Sequence, residues 1–351
     1  MTVPVYVAIP VYNGGRTIRK TLTNVLEQTY TDFRVLVYDD GSTDRTAQLL
    51  SQFVARDDRI TLLTGDQNLG RGAARNRLLE AAQDGIIAWQ DADDTWNPTK
   101  LADQLSFFES FADLGIDPAK AVMISTLNRK VTRKGQPFVT KCVPPVEFDT
   151  AYVLSDDYGK CPFQLQATFG LASVYLDAGG FDENLNWSED LDIALKILAN
   201  GSRIISHATD RALATYNHSL ASAKGDAVEK AQRVLRDRHR DYALANGVDI
   251  DDMFDKRRLN YLFNIYLSNK NYAKALAVTL GSLVEVDDHR IQVVSRNIIA
   301  VFRGILQAQE EIWLAQEQEY AQQGAGEPAA GGHGHAHAHA QDDMGEEDDA
   351  E

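Results

Sequence analysis

Three carboxylates crowd into four positions at Asp91-Ala92-Asp93-Asp94, directly after the apolar run Ile86-Ile87-Ala88-Trp89. Such a run reads as a buried strand, so the acids fall at its end. Ionised carboxylates this close raise one another's pKa through repulsion and lost hydration unless a counter-charge is present. Mg²⁺ or Mn²⁺ is that counter-charge when all ligands are oxygens, and either ion keeps positions open for water or phosphate. The competing role is a polar turn in which Asp caps the next helix. A second acidic pair, Glu189-Asp190, precedes Leu191, Leu195 and Leu198 at helical spacing. The helix dipole favours acids there, so capping is the simplest role and proton abstraction the alternative.

The elements that must position these acids are legible in the first hundred residues. Val3, Val5, Val7 and Ile9 alternate as in a strand and stop at the turn Pro10-Val11-Tyr12-Asn13-Gly14-Gly15. Ile18, Leu22, Val25 and Leu26 then follow a helical period. A second strand, Phe33 to Tyr38, ends at Asp39-Asp40-Gly41-Ser42-Thr43-Asp44, and the next helix turns Ala47, Leu50 and Phe53 inward. Ile60 to Leu63 is a third strand, Arg71 to Ala82 a helix and residues 86–90 a fourth strand. Alternation of this kind with short connections predicts an α/β fold with a mostly parallel sheet and flanking helices. Ligands of such sheets sit beyond the carboxyl ends of the strands, where the polar clusters at 10–15, 39–44 and 91–94 all fall.

Read together, these segments resemble the inverting glycosyltransferases of family 2, which have the GT-A (Rossmann-like) fold. The resemblance is carried by IPVYNGG at 9–15, VYDDGSTD at 37–44, NLGRGAARN at 68–76, DADD at 91–94, GGFDE at 179–183 and SEDLDIALKILANG at 188–201. It implies transfer of a sugar from a nucleoside-diphosphate sugar, expected to be a UDP-sugar, to a hydroxyl of a glycan or lipid-linked acceptor. It also implies roles for residues. Pro10, Val11, Tyr12 and Asn13 line the nucleotide, Asp39 or Asp40 accepts hydrogen bonds from the base, and Arg71 lies near the nucleotide. Asp91 faces the ribose or sugar and stands beside Asp93, the ligand of Mn²⁺ or Mg²⁺. Asp190, paired with Glu189, is the general base. Tyr216-Asn217-His218-Ser219 is a shortened, arginine-less version of a family stretch whose histidine approaches the metal, which makes His218 a candidate ligand. Trp187 is a candidate acceptor-stacking residue. A competing expectation is a catalytically inactive sugar-nucleotide-binding or scaffold protein that works through its helices.

The whole chain bounds these readings. Its 351 residues, 44% apolar and 25% charged, suit a globular protein of about two domains. The net charge of −16 and the lack of a basic face predict no nucleic-acid partner. Cys142 and Cys161 make no disulfide framework, and no signal-peptide pattern or membrane-spanning apolar run is expected. The predicted location is therefore cytoplasmic, with peripheral contact to the inner face of a membrane left open. Residues 1–222 are expected to form the catalytic domain. Residues 223–320 are expected to form a helical region for packing, homodimer formation or membrane docking, with stripes at Leu259, Leu262, Phe263, Tyr266 and Leu267, at Ala273, Leu276, Leu280, Leu283 and Val284, and at Ile298, Ile299, Phe302, Ile305 and Leu306. Residues 321–351 carry eight acids, four histidines and no Lys or Arg, a composition that predicts disorder. Arg129 to Phe138 reads as a basic hairpin, solvated or facing an anionic acceptor or lipid headgroups.

Overall fold

Along β1 (Val5–Val11) both alternating sets of side chains are buried up to Ile9, as a strand covered by helices on both faces requires. The computed structural model describes residues 3–133, 136–146, 148–155, 162–185, 187–218, 224–257, 262–281, 293–309 and 311. After β1 come α1 (Ile18–Leu26), β2 (Arg34–Asp39), α2 (Thr46–Val54), β3 (Ile60–Thr64), α3 (Arg71–Ala81) and β4 (Ile86–Trp89). The expected alternation is present. On α2, Leu50 is buried and Phe53 packs against the core as expected, whereas Ala47 is exposed and Thr46 and Leu49 are buried instead.

The chain then runs through β5 (Thr95–Trp96), α4 (Lys100–Glu109), β6 (Ala121–Ser125), β7 (Leu127–Arg133), β8 (Gln136–Cys142), α5 (Thr150–Leu154), β9 (Thr168–Leu171), α6 (Ala172–Asp177), α7 (Glu189–Ala199), β10 (Arg203–His207) and β11 (Ala214–His218). Seven strands form the main sheet in the order β10-β6-β9-β4-β1-β2-β3. All its pairings are parallel except those of β9, which runs antiparallel to β4 and β6. A second sheet, β5-β11-β7-β8, contains the basic hairpin as its outer β7–β8 ribbon. Because β4, β1 and β2 are parallel neighbours, the turns after all three open on one rim, with adjacent strands about 4.8 Å apart.

The C-terminal helices are α8 (Gly225–Ala245), α9 (Ile250–Arg257), α10 (Phe263–Ser268) and α11 (Tyr272–Gly281), followed by helix over residues 293–309. Ala231, Leu235, Ala243, Ile250 and Phe254 join the same buried cluster as the main sheet. Packing therefore does not divide at residue 222. Met1–Val301 is one compact unit, and Phe302–Glu351 a second whose described residues are helical. Two expected stripes need correction. On α11 the buried residues are Ala275, Val278 and Thr279, while Ala273 and Leu280 are exposed, because the smaller side chains form the face against α10. In the last helix Val294, Asn297 and Val301 are buried, whereas Ile299, Phe302 and Leu306 are exposed. Leu259, Leu283, Val284 and the predicted disordered tail lie outside the described residues. None of the helices described is long and apolar enough to cross a membrane.

One buried ionic cluster ties α8 to α7. Asp192 Oδ1 accepts from Arg238 Nη1 at 2.8 Å and lies 2.8 Å from His239 Nε2, while Asp192 Oδ2 lies 2.9 Å from Lys196 Nζ. Burial alone would raise the Asp192 pKa, but these partners outweigh it and hold the carboxyl at about 2. The folded value is thus below the unfolded one. The stabilisation is complete above about pH 4 and is lost as pH falls towards 2. Asp192→Asn is expected to lower unfolding free energy by about 2 kcal/mol at pH 7 and by much less near pH 2. Urea titrations across that range measure it, and an equal loss at both ends would contradict the assignment.

Candidate active site

Three short polar side chains stitch the first two rim loops together. Asn13, held at φ 51°, accepts on Oδ1 from the amide of Thr43 at 2.8 Å and donates its own amide to Ser42 Oγ at 2.9 Å. Asp44 accepts from the amides of Gly15 and Thr46 at 3.1 and 2.9 Å. The adjacent acids Asp39 and Asp40, both buried, do different work. Asp40 takes the amides of Leu69 and Gly70, each at 2.9 Å, one on each oxygen. Asp39 engages only Oδ1, with the amide of Ser42 at 3.0 Å. Of the first turn's residues, Val11 is buried beneath Gly14 and Tyr12 is 47% exposed on the rim.

The loop held by Asp40 starts α3. Gly70 sits at φ 95°, a conformation that L side chains rarely adopt. A Cβ on Gly72 would collide with the backbone of Asp182, so glycine there lets α3 lie against the GGFDE turn. Asn76 completes that join, donating to Phe181 O at 2.9 Å and accepting from Phe181 N at 2.8 Å. These contacts give NLGRGAARN and GGFDE a shared purpose: they press the N-terminal half of α3 towards the start of α7.

Arg75 lies at the meeting point. Its side chain is 3% exposed, donates from Nη1 to Glu189 Oε1 at 2.6 Å and from Nη2 to Asp91 Oδ1 at 3.0 Å, and stands over the Phe181 ring. Burial opposes its charge, but Asp91 and Glu189 outweigh that and raise its pKa above the ordinary value. Burial likewise opposes ionisation of Glu189, yet Arg71 and Arg75 lower its pKa. Arg71, one helical turn before Arg75, reaches Glu189 Oε1 at 3.3 Å and lies 4.7 Å from the Trp187 ring centroid while remaining half-exposed. The sequence reading named Arg71 and missed Arg75. The signal was available in the i, i+4 spacing of the two arginines on one helix.

The DADD turn is held from below and from the side. Gln90, fully buried, donates to the carbonyls of Asp91 at 3.1 Å and Asp94 at 2.8 Å, and Thr21 Oγ1 donates to Ala92 O at 2.8 Å. Asn217 on β11 donates its amide to Asp94 Oδ1 at 2.8 Å and its side chain to Asp93 O at 2.6 Å. Asp94 is thus a buried brace, and its Oδ2 has no hydrogen-bond partner. Asp93 is open to solvent on one side and crowded on the others. This partial desolvation, with the negative charge of Asp91, raises its pKa.

Carboxylates therefore outnumber guanidinium groups along this rim, and any diphosphate placed here adds further negative charge. Among the described residues no three His, Cys, Asp or Glu side chains enclose a point as a full protein cage would. One or two carboxylates with the remaining positions left to phosphate and water is the arrangement Mg²⁺ ordinarily takes. Asp93, with Asp91 beside it, fits that pattern.

Asp190 follows Glu189 at the start of α7, after Ser188 at φ 58°. That left-handed serine costs about 1–3 kcal/mol, a cost met where the surroundings over-determine a site. Asp190 Oδ1 accepts from Leu191 N at 2.8 Å and Oδ2 from Gln164 Nε2 at 3.4 Å. Gln164 was not anticipated, since nothing in its local sequence marks it, and Asn217 lies in the stretch singled out for His218 but was given no role of its own. The backbone of His218 ends β11, but its side chain lies outside the described residues. The structure thus brings Asp91, Asp93, Glu189, Asp190, Arg71 and Trp187 together, with Tyr12 one strand and Asp39 and Asp40 two strands along the same rim.

A family description, Glycosyl transferase family 2, matches residues 6–140. These residues are a family 2 glycosyltransferase domain. Over 103 residues the chain is 39% identical to the putative teichuronic acid biosynthesis glycosyltransferase TuaG of Bacillus subtilis (29% of this chain, 41% of that protein). Over 102 residues it is 40% identical to the UDP-Glc:alpha-D-GlcNAc-diphosphoundecaprenol beta-1,3-glucosyltransferase WfgD of Escherichia coli (29% and 40%). The chain spans about two fifths of the length of these curated relatives. In fold it is similar to S. aureus TarS 1–349 solved with UDP-GlcNAc, with a TM-score of 0.53 at 17% identity over 85% of this chain and 81% of that one. A structure of GalNAc-T7 with UDP, GalNAc and Mn²⁺ gives a TM-score of 0.50 at 14% identity, over 67% and 48%. The family 2 domain and these neighbours together make this a GT-A fold.

In the family 2 domain, Arg75→Met leaves Glu189 buried without its closest partner. It is expected to cost about 3–5 kcal/mol in urea unfolding. Arg75→Lys should recover little, because an ammonium cannot span Asp91 and Glu189 as the guanidinium fork does. A lysine variant of wild-type stability would refute the bridging role.

Proposed function

We propose that this protein is an inverting glycosyltransferase that moves a sugar from a UDP-sugar to a hydroxyl of a glycan or lipid-linked acceptor. The observation that carries the reading is Arg75, which joins Asp91 of the DADD turn to Glu189, the residue before Asp190. UDP and UDP-GlcNAc in the neighbours' crystals support a uridine donor, Mn²⁺ beside GalNAc-T7 supports a divalent ion, and the lipid-diphosphate substrate in the name of WfgD supports the acceptor class.

Each residue then has a task. Tyr12 offers an exposed ring to the base and Asp39 an acceptor oxygen, Asp40 being held by the Leu69 and Gly70 amides. Arg71, half-exposed on Trp187, faces the negative diphosphate, and Trp187 backs the sugar or acceptor. Asp93, with Asp91, would hold Mn²⁺ or Mg²⁺, which when bound supplies Lewis-acid stabilisation to the leaving diphosphate. Glu189 is neutralised by two arginines and orients them. Asp190 is the base. It takes the acceptor hydroxyl's proton as that oxygen bonds to the anomeric carbon from the face opposite the diphosphate, which leaves as UDP with the bonding electrons.

Asp190→Asn is expected to reduce transfer by about 10²–10⁴-fold while leaving UDP affinity in calorimetry unchanged. Near-normal turnover by that variant would remove Asp190 as the base. Asp93→Asn should abolish the Mn²⁺-dependent part of UDP binding. An unaltered metal dependence would place the ion elsewhere.

A further inference from the structure

From Pro118 to Val146 the chain runs 29 residues without an acid yet carries Lys120, Arg129, Lys130, Arg133, Lys134 and Lys141, in a protein of net charge −16. Most of this stretch is the β7–β8 ribbon, the outer part of the second sheet, and β8 is exposed along all but its last residue. Apolar side chains of the same stretch stand in the open: Phe138 at 56% exposure, Val139 at 57%, Val143 at 48% and Val146 at 98%. The antiparallel register pairs Lys130 with Val139 and Val131 with Phe138, so a cation and exposed apolar side chains share the ribbon.

Lysines on an edge strand guard against pairing with another chain. That role needs charge alone and leaves the exposed Phe138, Val139, Val143 and Val146 unexplained. We propose that the β7–β8 ribbon docks on an anionic lipid surface, with Lys130 meeting headgroups and Val139, its cross-strand partner on the same face, entering the interfacial layer. Cations near an anionic bilayer are attracted to it, and apolar side chains between them gain by leaving water. The rest of the chain, being acidic, is repelled by the same surface, so binding depends on this strip.

The position of the ribbon gives the contact a use. β7 pairs on its other side with β11, whose Asn217 holds the DADD turn. A surface gripped by β7–β8 therefore lies beside the rim where an acceptor must enter. Lipid binding does not depend on the glycosyltransferase reading, whereas delivery of an acceptor anchored in that surface rests on it.

Co-sedimentation of the full chain with phosphatidylcholine vesicles, with and without phosphatidylglycerol, tests the docking. Binding is expected only with phosphatidylglycerol and should weaken as salt rises. Lys130→Ala should weaken it about five-fold, the usual effect of one cation at such a surface, and Val139→Ser should weaken it by a similar factor. Three results would overturn the proposal: no binding to anionic vesicles, wild-type binding by both variants, or a dimer in sedimentation velocity that Val139→Ser dissociates. The last would make a second copy the occupant of β8.

Discussion

The charge on Arg75 is the constraint that organises the site. A guanidinium taken out of water is costly unless its donors find carboxylates in good geometry. Here the two carboxylates come from different places, Asp91 after β4 and Glu189 at the start of α7. The pairing can exist only when α3, the DADD turn and α7 are all in place, so folding of the site is close to all-or-none. The same bridge separates two adjacent acids chemically. Glu189 is buried and paired with two arginines, while Asp190 on the next residue meets Leu191 N and Gln164 instead.

The surrounding contacts defend that geometry without taking part in it. Asn76 and Gly72 hold α3 against the GGFDE turn, and Asp192 with Arg238 and His239 ties α7 to α8. Because α8 and α9 share the core of the main sheet, they act as buttresses of the catalytic rim. Asn217 does the equivalent for the DADD turn from the second sheet, so strands from both sheets fix where Asp93 stands. What remains least compensated is the negative charge at Asp93, which burial and neighbouring Asp91 both disfavour.

Much of this arrangement was legible in advance where the cause is local. Strand alternation, helical period and polar turns located β1 to β4 and α1 to α3, and the acidic clusters fell at the strand ends where ligands of parallel sheets lie. Arg75 was readable in principle and overlooked, since an arginine inside an apparently amphipathic helix looks like a surface residue until its partners are known. Gln164 and Asn217 were not readable. Their roles come from β9 entering the sheet antiparallel and from the four-stranded second sheet, both products of long-range pairing. The inward faces of α2, α11 and the last helix differed in part from the periodic estimate for a related reason. A helix of mixed apolar character settles on whichever face its neighbour accepts.

From the sequence alone came the alternation of elements, the placement of acids at strand ends and the family that these motifs resemble, because each depends on spacing within a short window. Only the tertiary structure decided which partners each member of an acidic pair meets: Asp39 or Asp40, Asp93 or Asp94, Glu189 or Asp190. Neighbouring residues share a composition and a motif, but their side chains leave the backbone in different directions. Their chemistry is set by partners that arrive from far along the chain: Leu69 and Gly70, Asn217, Arg71 and Arg75.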